Sequence, residues 1–308
     1  MTRVLSVLET VLPVFLALGL GMLCRGKGFL KREGIDALKW VVLNLTLPFV
    51  LLNAFATAEY TLQTLALPAV MFALCCLALV IGKCLCKAFR VPGRLAPFLA
   101  TGFEAGMLGY ALFALLFPQV SISRFAMLDL GQTLFVFTLY KILLSGKKDL
   151  GAVGKDMLRS PVLWAVAAGV LLGATGLYGK LGQWGIAGLL DSGTDFLSAP
   201  TGMIILLTVG YDLVPKQIPW KQTVRLIAVR LVSMAVCLCV LIGVNRTVLP
   251  GQIFEGAAVL MMILPPPYVL PVFADAPGER VQTASALSAL TVVCLVLFAG
   301  LAIAVGAK

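Results

Sequence analysis

What most constrains this chain is the recurrence of apolar stretches long enough to cross a bilayer, separated by short charged loops. A hydrocarbon core about 30 Å thick needs about 20 apolar residues in an α-helix rising about 1.5 Å per residue. Ten such stretches take up nearly all of the 308 residues: 8–24, 35–57, 64–86, 96–117, 122–144, 161–178, 189–213, 222–245, 252–275 and 281–305. Hydrophobic residues make up 60% of the chain and charged residues 12%, about half the charge of a soluble domain, so a water-soluble fold is excluded. A β-barrel is excluded too, because its strands alternate apolar and polar residues and runs such as 162–172 do not. The charges flanking the first stretch (Arg25, Lys27, Lys31, Arg32) follow it rather than precede it, so it reads as a retained helix and not as a secretory signal. The expectation is an all-α polytopic membrane protein with ten transmembrane helices.

A net charge of +10 would suggest a nucleic-acid partner in a soluble protein. In a membrane protein the distribution matters more. With loops assigned alternately to two sides, one side collects 18 basic residues, from Arg25 to Arg280, and the other only Arg3, Arg124, Lys180, Arg246 and Lys308. Arg230 stays inside a helix. By the positive-inside rule the basic loops are cytoplasmic and both termini lie outside, in a plasma (inner) membrane. No nucleic-acid partner is expected. All eight cysteines lie in or at the ends of apolar stretches, where thiols act as small hydrophobes. Cys84 and Cys86 form the one local cluster, but the chain has no histidine and the spacing is not that of a zinc site, so no metal and no cofactor are expected.

The basic loop from Ser145 to Ser160 divides the chain into halves of five segments, 1–150 and 151–308. An odd number of crossings makes the second half enter from the opposite side, as an inverted repeat requires. Leu47-Pro48 in segment 2 corresponds to Ala199-Pro200 in segment 7, and Gly109-Tyr110 in segment 4 to Pro267-Tyr268 in segment 9. Segments 4 and 9 are also the least regular. Segment 4 carries Gly102, Gly106 and Gly109, and segment 9 carries Pro265, Pro266, Pro267 and Pro271. Three prolines in succession remove backbone donors and clash with the preceding turn, so segment 9 must break there. Free backbone groups within a bilayer are tolerated only where they are buried in protein or line a wet cavity, and a matched break in each half points to a midplane binding site. Residues 102–109 and 265–267 are therefore expected to be non-helical and to face each other. Gly102-x-x-x-Gly106 also fits simple close helix packing.

Charged residues at membrane depth cost about 2.5–3.5 kcal/mol each on insertion scales, so each survivor needs a reason. Glu104 lies inside the glycine-rich break. Asp129 approaches the middle of segment 5, with Gln132 and Thr133 three and four positions later on the same face. Glu104, Asp129, Gln132 and Thr133, with the matched Tyr110 and Tyr268, form the candidate substrate or coupling site. The bland reading of Asp129 is a structural pairing with Arg124, Arg230 or the broken-helix backbone. Asn53, Gln282, Ser285 and Ser288 are weaker candidates, and Asp191 and Asp195 read as a solvated helix face.

Several short motifs recur in an order that resembles the auxin efflux carrier family of the bile acid/auxin transporter superfamily. They are Leu12-Pro13-x-Phe15, Gly19-x-Gly21, Gly28-Phe29-Leu30, Asn44-x-x-Leu47-Pro48, Gly102-Phe103, residues 129–133, Pro200 with Gly210-x-x-Leu213, and Leu264-Pro265-Pro266. The resemblance implies ten helices, a scaffold and a transport domain, crossing broken helices 4 and 9 beside the substrate, and movement of small organic anions. The family commonly has an asparagine immediately before the Thr-Gly-Phe of segment 4. Here that position is Ala100, so the amide is not carried over, and Glu104 supplies a carboxylate instead.

Together these features lead to a secondary active transporter or uniporter for a small, carboxylated organic solute, working by alternating access and proton-coupled or uncoupled. A sodium-coupled symporter is the nearer alternative, disfavoured because segment 9 has no Glu, Gln or Asn near its prolines. No phosphate-binding Gly-x-x-x-x-Gly-Lys-[Ser/Thr] loop marks a primary pump. A membrane-embedded enzyme would need an acid/base or metal constellation that the chain lacks, so the protein is read as not an enzyme. The expected partners are the solute, protons, the lipid bilayer and, as a homodimer, a second copy of the chain.

Overall fold

A computed structural model describes residues 2–145, 159–213, 220–268, 270 and 277–306. Every regular element among them is helical and none is a strand. Helix α1 spans Thr2–Lys27, α2 Arg32–Ala56 and α3 Leu62–Ala88. A short helix α4 (Ala96–Leu99) is followed by a break, a π-helical turn at Ala105–Gly109 and helix α5 (Tyr110–Leu116). Then come α6 (Ser123–Leu144), α7 (Pro161–Ala174), α8 (Leu177–Gln183), α9 (Ala187–Asp212), α10 (Trp220–Thr247), α11 (Glu255–Ile263) and α12 (Pro277–Gly306).

Six helices among the described residues are long and apolar enough to cross a membrane: α2, α3, α6, α9, and the cores of α10 and α12 at Thr223–Thr247 and Ser285–Val305. The pair α7 and α8, bent by 69°, makes a seventh if read as one span. Large apolar side chains such as Leu62, Trp164, Phe196 and Val296 on these helices, and Phe15 on α1, are exposed. In water that surface would drive aggregation, whereas in lipid it needs no cover. The described residues thus form an all-helical fold with the spans and the outer surface of a membrane protein.

Several elements depart from the expected boundaries. Segment 6, expected as one run over 161–178, ends at Ala174, because Gly176 adopts a left-handed φ of 68° and turns the chain. Segments 4 and 9 are each broken, so neither offers a full-length span. Two of the long helices contain π-helical turns, at Val42–Thr46 in α2 and Val136–Tyr140 in α6, which no periodicity in the sequence marks. Pro271 and the loop between Ser145 and Ser160, apart from its ends, lie outside the described residues.

The helices sort into two groups. In one, α1 packs along the second half of α9, and α7 packs along the second half of α2. Both contacts are backbone to backbone: a Cβ on Gly210 would lie 2.1 Å from the carbonyl oxygen of Leu18, and one on Gly169 would lie 2.7 Å from that of Leu52. Any side chain there would push the helices apart, and this close approach gives the dispersion contact that holds helices together in lipid. In the other group α3 is the hub, packing on α6, α10 and α4, while α10 also packs on α11. Helix α3 opens with a reciprocal cap, Thr64 N–H donating to Thr61 Oγ1 (3.1 Å) and Thr61 N–H to Thr64 Oγ1 (2.8 Å). The two groups flank a cavity, and the broken stretches lie at its floor.

Candidate solute-binding site

The site is built on two interrupted helices that meet at their breaks. After α4 the backbone turns at Gly102, whose φ of 69° favours glycine. A Cβ there would also meet the Pro267 ring at 2.9 Å, so glycine serves both the turn and the close approach. On the other strand of the crossing, α11 stops at Ile263 and the chain continues through Leu264 and the three prolines. Glu104 N–H donates to the carbonyl of Pro265 at 2.8 Å, and Tyr268 N–H donates to Glu104 Oε2 at 2.5 Å. The two breaks are thereby joined by a backbone bond and by a carboxylate that accepts from the opposite chain.

The expected non-helical stretch over 102–109 is shorter than anticipated. Only Thr101 to Glu104 leaves helical geometry, and from Ala105 the chain resumes as a π turn that runs into α5. Gly106 faces the cavity, with Leu47 3.5 Å from where its Cβ would be. Gly109 packs under Phe125 and the Leu264 side chain of the second break. Of the glycines and prolines expected at the breaks, Gly102 meets Pro267 and Pro265 accepts from Glu104.

Helix α6 supplies the polar floor. Asp129, Gln132 and Thr133 share one face, and Asp129 Oδ1 accepts from Gln132 Nε2 and Thr133 Oγ1, both at 3.2 Å. Gln132 Nε2 also donates to the Phe103 carbonyl at 2.9 Å, and Gln132 Oε1 accepts from Phe103 N–H at 3.4 Å. One side-chain amide therefore satisfies both backbone groups of a residue in the break, as buried polar groups require. The other oxygen of Asp129 accepts from Tyr110 Oη at 2.9 Å. Tyr110 is held edge-on against Phe125, with ring centroids 5.1 Å apart. Glu104 is 9% exposed, Asp129 and Gln132 5%. Tyr268 Oη lies 2.9 Å from Thr291 Oγ1, and since the threonine hydroxyl donates to Leu287 O, the tyrosine is the donor between them.

The cavity has a volume of about 870 Å³. Its floor is Phe103, Glu104, Asp129, Gln132, Thr133 and Tyr268, and its walls are mostly apolar side chains of α2, α6 and α7. The mouth is charged and carries Arg25, Arg32, Lys39, Arg159 and Asp212. Asp212, at the end of α9, accepts from Arg32 (2.6 Å) and from Lys39, and Arg25 donates to the Tyr211 carbonyl (3.1 Å). Each of the three π turns contributes to the lining: Leu43 and Asn44, Gly106, and Val136 and Phe137.

Of the residues expected at the site, Glu104, Asp129, Gln132, Thr133 and Tyr268 reach the cavity, and Ser288 lines it as well. Tyr110 does not line it and supports Asp129 from behind. Asp129 pairs with neither Arg124 nor Arg230, its bonded partners being Tyr110, Gln132 and Thr133. Asp191 accepts from Tyr178 Oη, away from the cavity. Two features were missed. The sequence marks the mouth cations only as signs of topology, and Arg230 only as a charge inside a helix and a pairing partner for Asp129. Its guanidinium instead donates to Leu99 O (2.9 Å), Gly102 O (2.9 Å) and Leu264 O (2.7 Å). The available signal was that no other basic residue lies so deep within an apolar segment, a position that demands a partner. No protein-family model matches the chain, and no curated protein sequence matches it.

Proposed function

We propose that the protein is a ten-helix secondary transporter or uniporter, built from two inverted five-helix halves, that carries a small organic solute through the crossing of segments 4 and 9. The observation that carries this reading is the meeting of two broken helices at the floor of a large cavity, with Glu104 and Asp129 facing it. Interrupted segments in corresponding positions of two halves are the arrangement that secondary transporters use for midplane binding. The inverted repeat is supported by the exchange of partners between halves. The first helix of the first half (α1) lies on the second helix of the second (α9), and the first helix of the second half (α7) lies on the second helix of the first (α2). The motif order resembling the auxin efflux carriers agrees with this reading.

The cavity opens between residues of the basic loops, so by the positive-inside rule the conformation is open to the cytoplasm, with both termini outside. An anionic group of the solute is drawn to the mouth by Arg25, Arg32, Lys39 and Arg159, and the apolar walls accept its carbon skeleton. Glu104 and Asp129 then serve as the titratable pair that couples transport to protons. Asp129 holds three donors and Glu104 a backbone N–H, so protonating either one alters bonds that fix the crossing.

The test is a thermal-shift screen of the purified protein over organic acids, amino acids and neutral analogues, followed by flux of the best hit in proteoliposomes. Glu104→Gln is expected to fold and bind, to lose the pH dependence of net flux, and to retain more exchange than net transport. Wild-type pH dependence in that variant would remove Glu104 from the coupling mechanism.

A further inference from the structure

Three carbonyl oxygens from two different broken helices converge on one side chain. Leu99 O ends α4, Gly102 O lies within the first break, and Leu264 O follows α11. The last carbonyls of a helix have no intrahelical donor and carry partial negative charge. Within a bilayer they need a partner. In transporters with broken helices, unwound carbonyls and half-helix C-terminal ends of this kind are what hold a coupling cation. Here the convergence point is filled from within. Arg230, projecting from α10, which is neither of the broken helices, donates to all three oxygens at 2.7–2.9 Å.

The surroundings of the guanidinium fit this role. It is 3% exposed, and the ring of Phe103 lies under it with its centroid 5.7 Å from Cζ. Among the described residues its charge is met by carbonyl dipoles and a ring face rather than by a carboxylate. A structural arginine buried for its own sake would be expected to have an acidic partner, because an uncompensated buried charge is costly. Here the compensation comes from carbonyls of a helix end and of the two breaks, which carry partial negative charge. The fork of the guanidinium matches three separate oxygens where the single nitrogen of a lysine does not.

We propose that Arg230 is a built-in cation: a tethered guanidinium that occupies the cation site of the crossing and makes the crossing independent of sodium. A cation attached to the chain does not dissociate, so no ion gradient can be coupled through this point, and titration is left to the carboxylates on the cavity side. The inference goes beyond the transport reading, since it concerns what holds the two breaks together and is tested without measuring transport.

The experiment is thermal unfolding of the purified full-length protein in choline, sodium or dilute guanidinium chloride at equal ionic strength. The wild type is expected to unfold at the same temperature in sodium and in choline. Arg230→Ala is expected to unfold several degrees lower in choline, and to regain a large part of that loss in a saturable way with guanidinium, which replaces the missing group. Sodium should restore a smaller part. Arg124→Ala, a surface control, should respond to neither cation. Arg230→Lys and Arg230→Gln form the second arm, which decides the matter where the alanine variant yields no folded protein. Lysine retains a charge and should be the more stable of the two. The proposal is overturned by a sodium-dependent rise in the wild type, by a folded Arg230→Ala that gains nothing from either cation, or by a glutamine variant as stable as the lysine one.

Discussion

The mouth and the floor of the cavity are both rich in charge, yet they are built by opposite rules. At the mouth the Arg32 and Asp212 side chains are 56% and 34% exposed, and Arg32 divides itself between Asp212 and Asp36. Such pairs sit in high dielectric, are screened by salt, and contribute about 0–1 kcal/mol each. At the floor, Asp129 and Gln132 are nearly inaccessible and the hydrogen bonds they make have no water to replace them. A buried donor left without its acceptor costs about 1–3 kcal/mol. The floor is therefore a place where geometry is fixed, and the mouth one where charge acts through its field and not through any particular pair.

The strongest way to break this contrast is to remove Asp129. Asp129→Ala strands Tyr110 Oη and Thr133 Oγ1 and leaves Gln132 Nε2 with its bond to the Phe103 carbonyl alone. It is expected to lower stability by roughly 3–5 kcal/mol. Asp129→Asn keeps one acceptor oxygen and should cost about half as much while still abolishing proton-coupled flux. Denaturant or thermal unfolding of both variants checks the order, and equal stability of the alanine and asparagine forms would mean that the three donors find other partners.

Next in size is Gln132→Leu, which removes both bonds to the Phe103 backbone and one to Asp129. A loss of about 2–3 kcal/mol is expected. Because the break itself is loosened, backbone amides of residues 101–104 should exchange faster with solvent while those of α3 stay protected. Unchanged exchange across the break would show that Arg230 and the Glu104 bonds hold it unaided. Tyr110→Phe is milder: it removes one donor to a carboxylate but keeps the edge contact with Phe125, for an expected cost of about 1.5–2 kcal/mol. Solute affinity should change little in Tyr110→Phe, since the ring is not in the cavity wall, and a large loss of binding measured by calorimetry would place it there.

What could be read from the sequence followed local rules. The triple proline and Gly102 forced breaks through backbone chemistry alone, and the spacing of Asp129, Gln132 and Thr133 placed three polar groups on one helical face. What could not be read depends on contacts distant in sequence. Arg230 meets Gly102 across 128 positions and Tyr268 meets Glu104 across 164, and no periodicity encodes either. The π turns at Val42–Thr46 and Val136–Tyr140 each add one residue to a helical turn within apolar sequence that would suit an α-helix equally well. The mouth was hidden for another reason. Its arginines and lysines satisfy the positive-inside rule wherever they point, so their second role appears only when Arg25, Arg32, Lys39 and Arg159 are seen around one opening.

The smallest effect on stability is expected at Asp212, and it sharpens the contrast in the other direction. Asp212 ties the end of α9 to the first turns of α2 through Arg32 and Lys39. All three groups remain partly solvated, so Asp212→Asn should change unfolding free energy by less than about 1 kcal/mol. Among the described residues that line the mouth, however, its charge is the one negative charge beside four cations. Removing it raises the positive potential over the opening, which speeds the arrival of an anion from that side. Uptake of an anionic solute through this mouth should therefore rise roughly twofold in low salt, with maximal rate unchanged. The gain should fade toward about 0.15 M salt, where the Debye length falls to about 8 Å. Initial rates in proteoliposomes across a salt series measure it. A gain independent of salt would mean that Asp212 acts by holding α9 against α2 and not through its field, and a stability loss as large as that of Asp129→Ala would erase the distinction between mouth and floor.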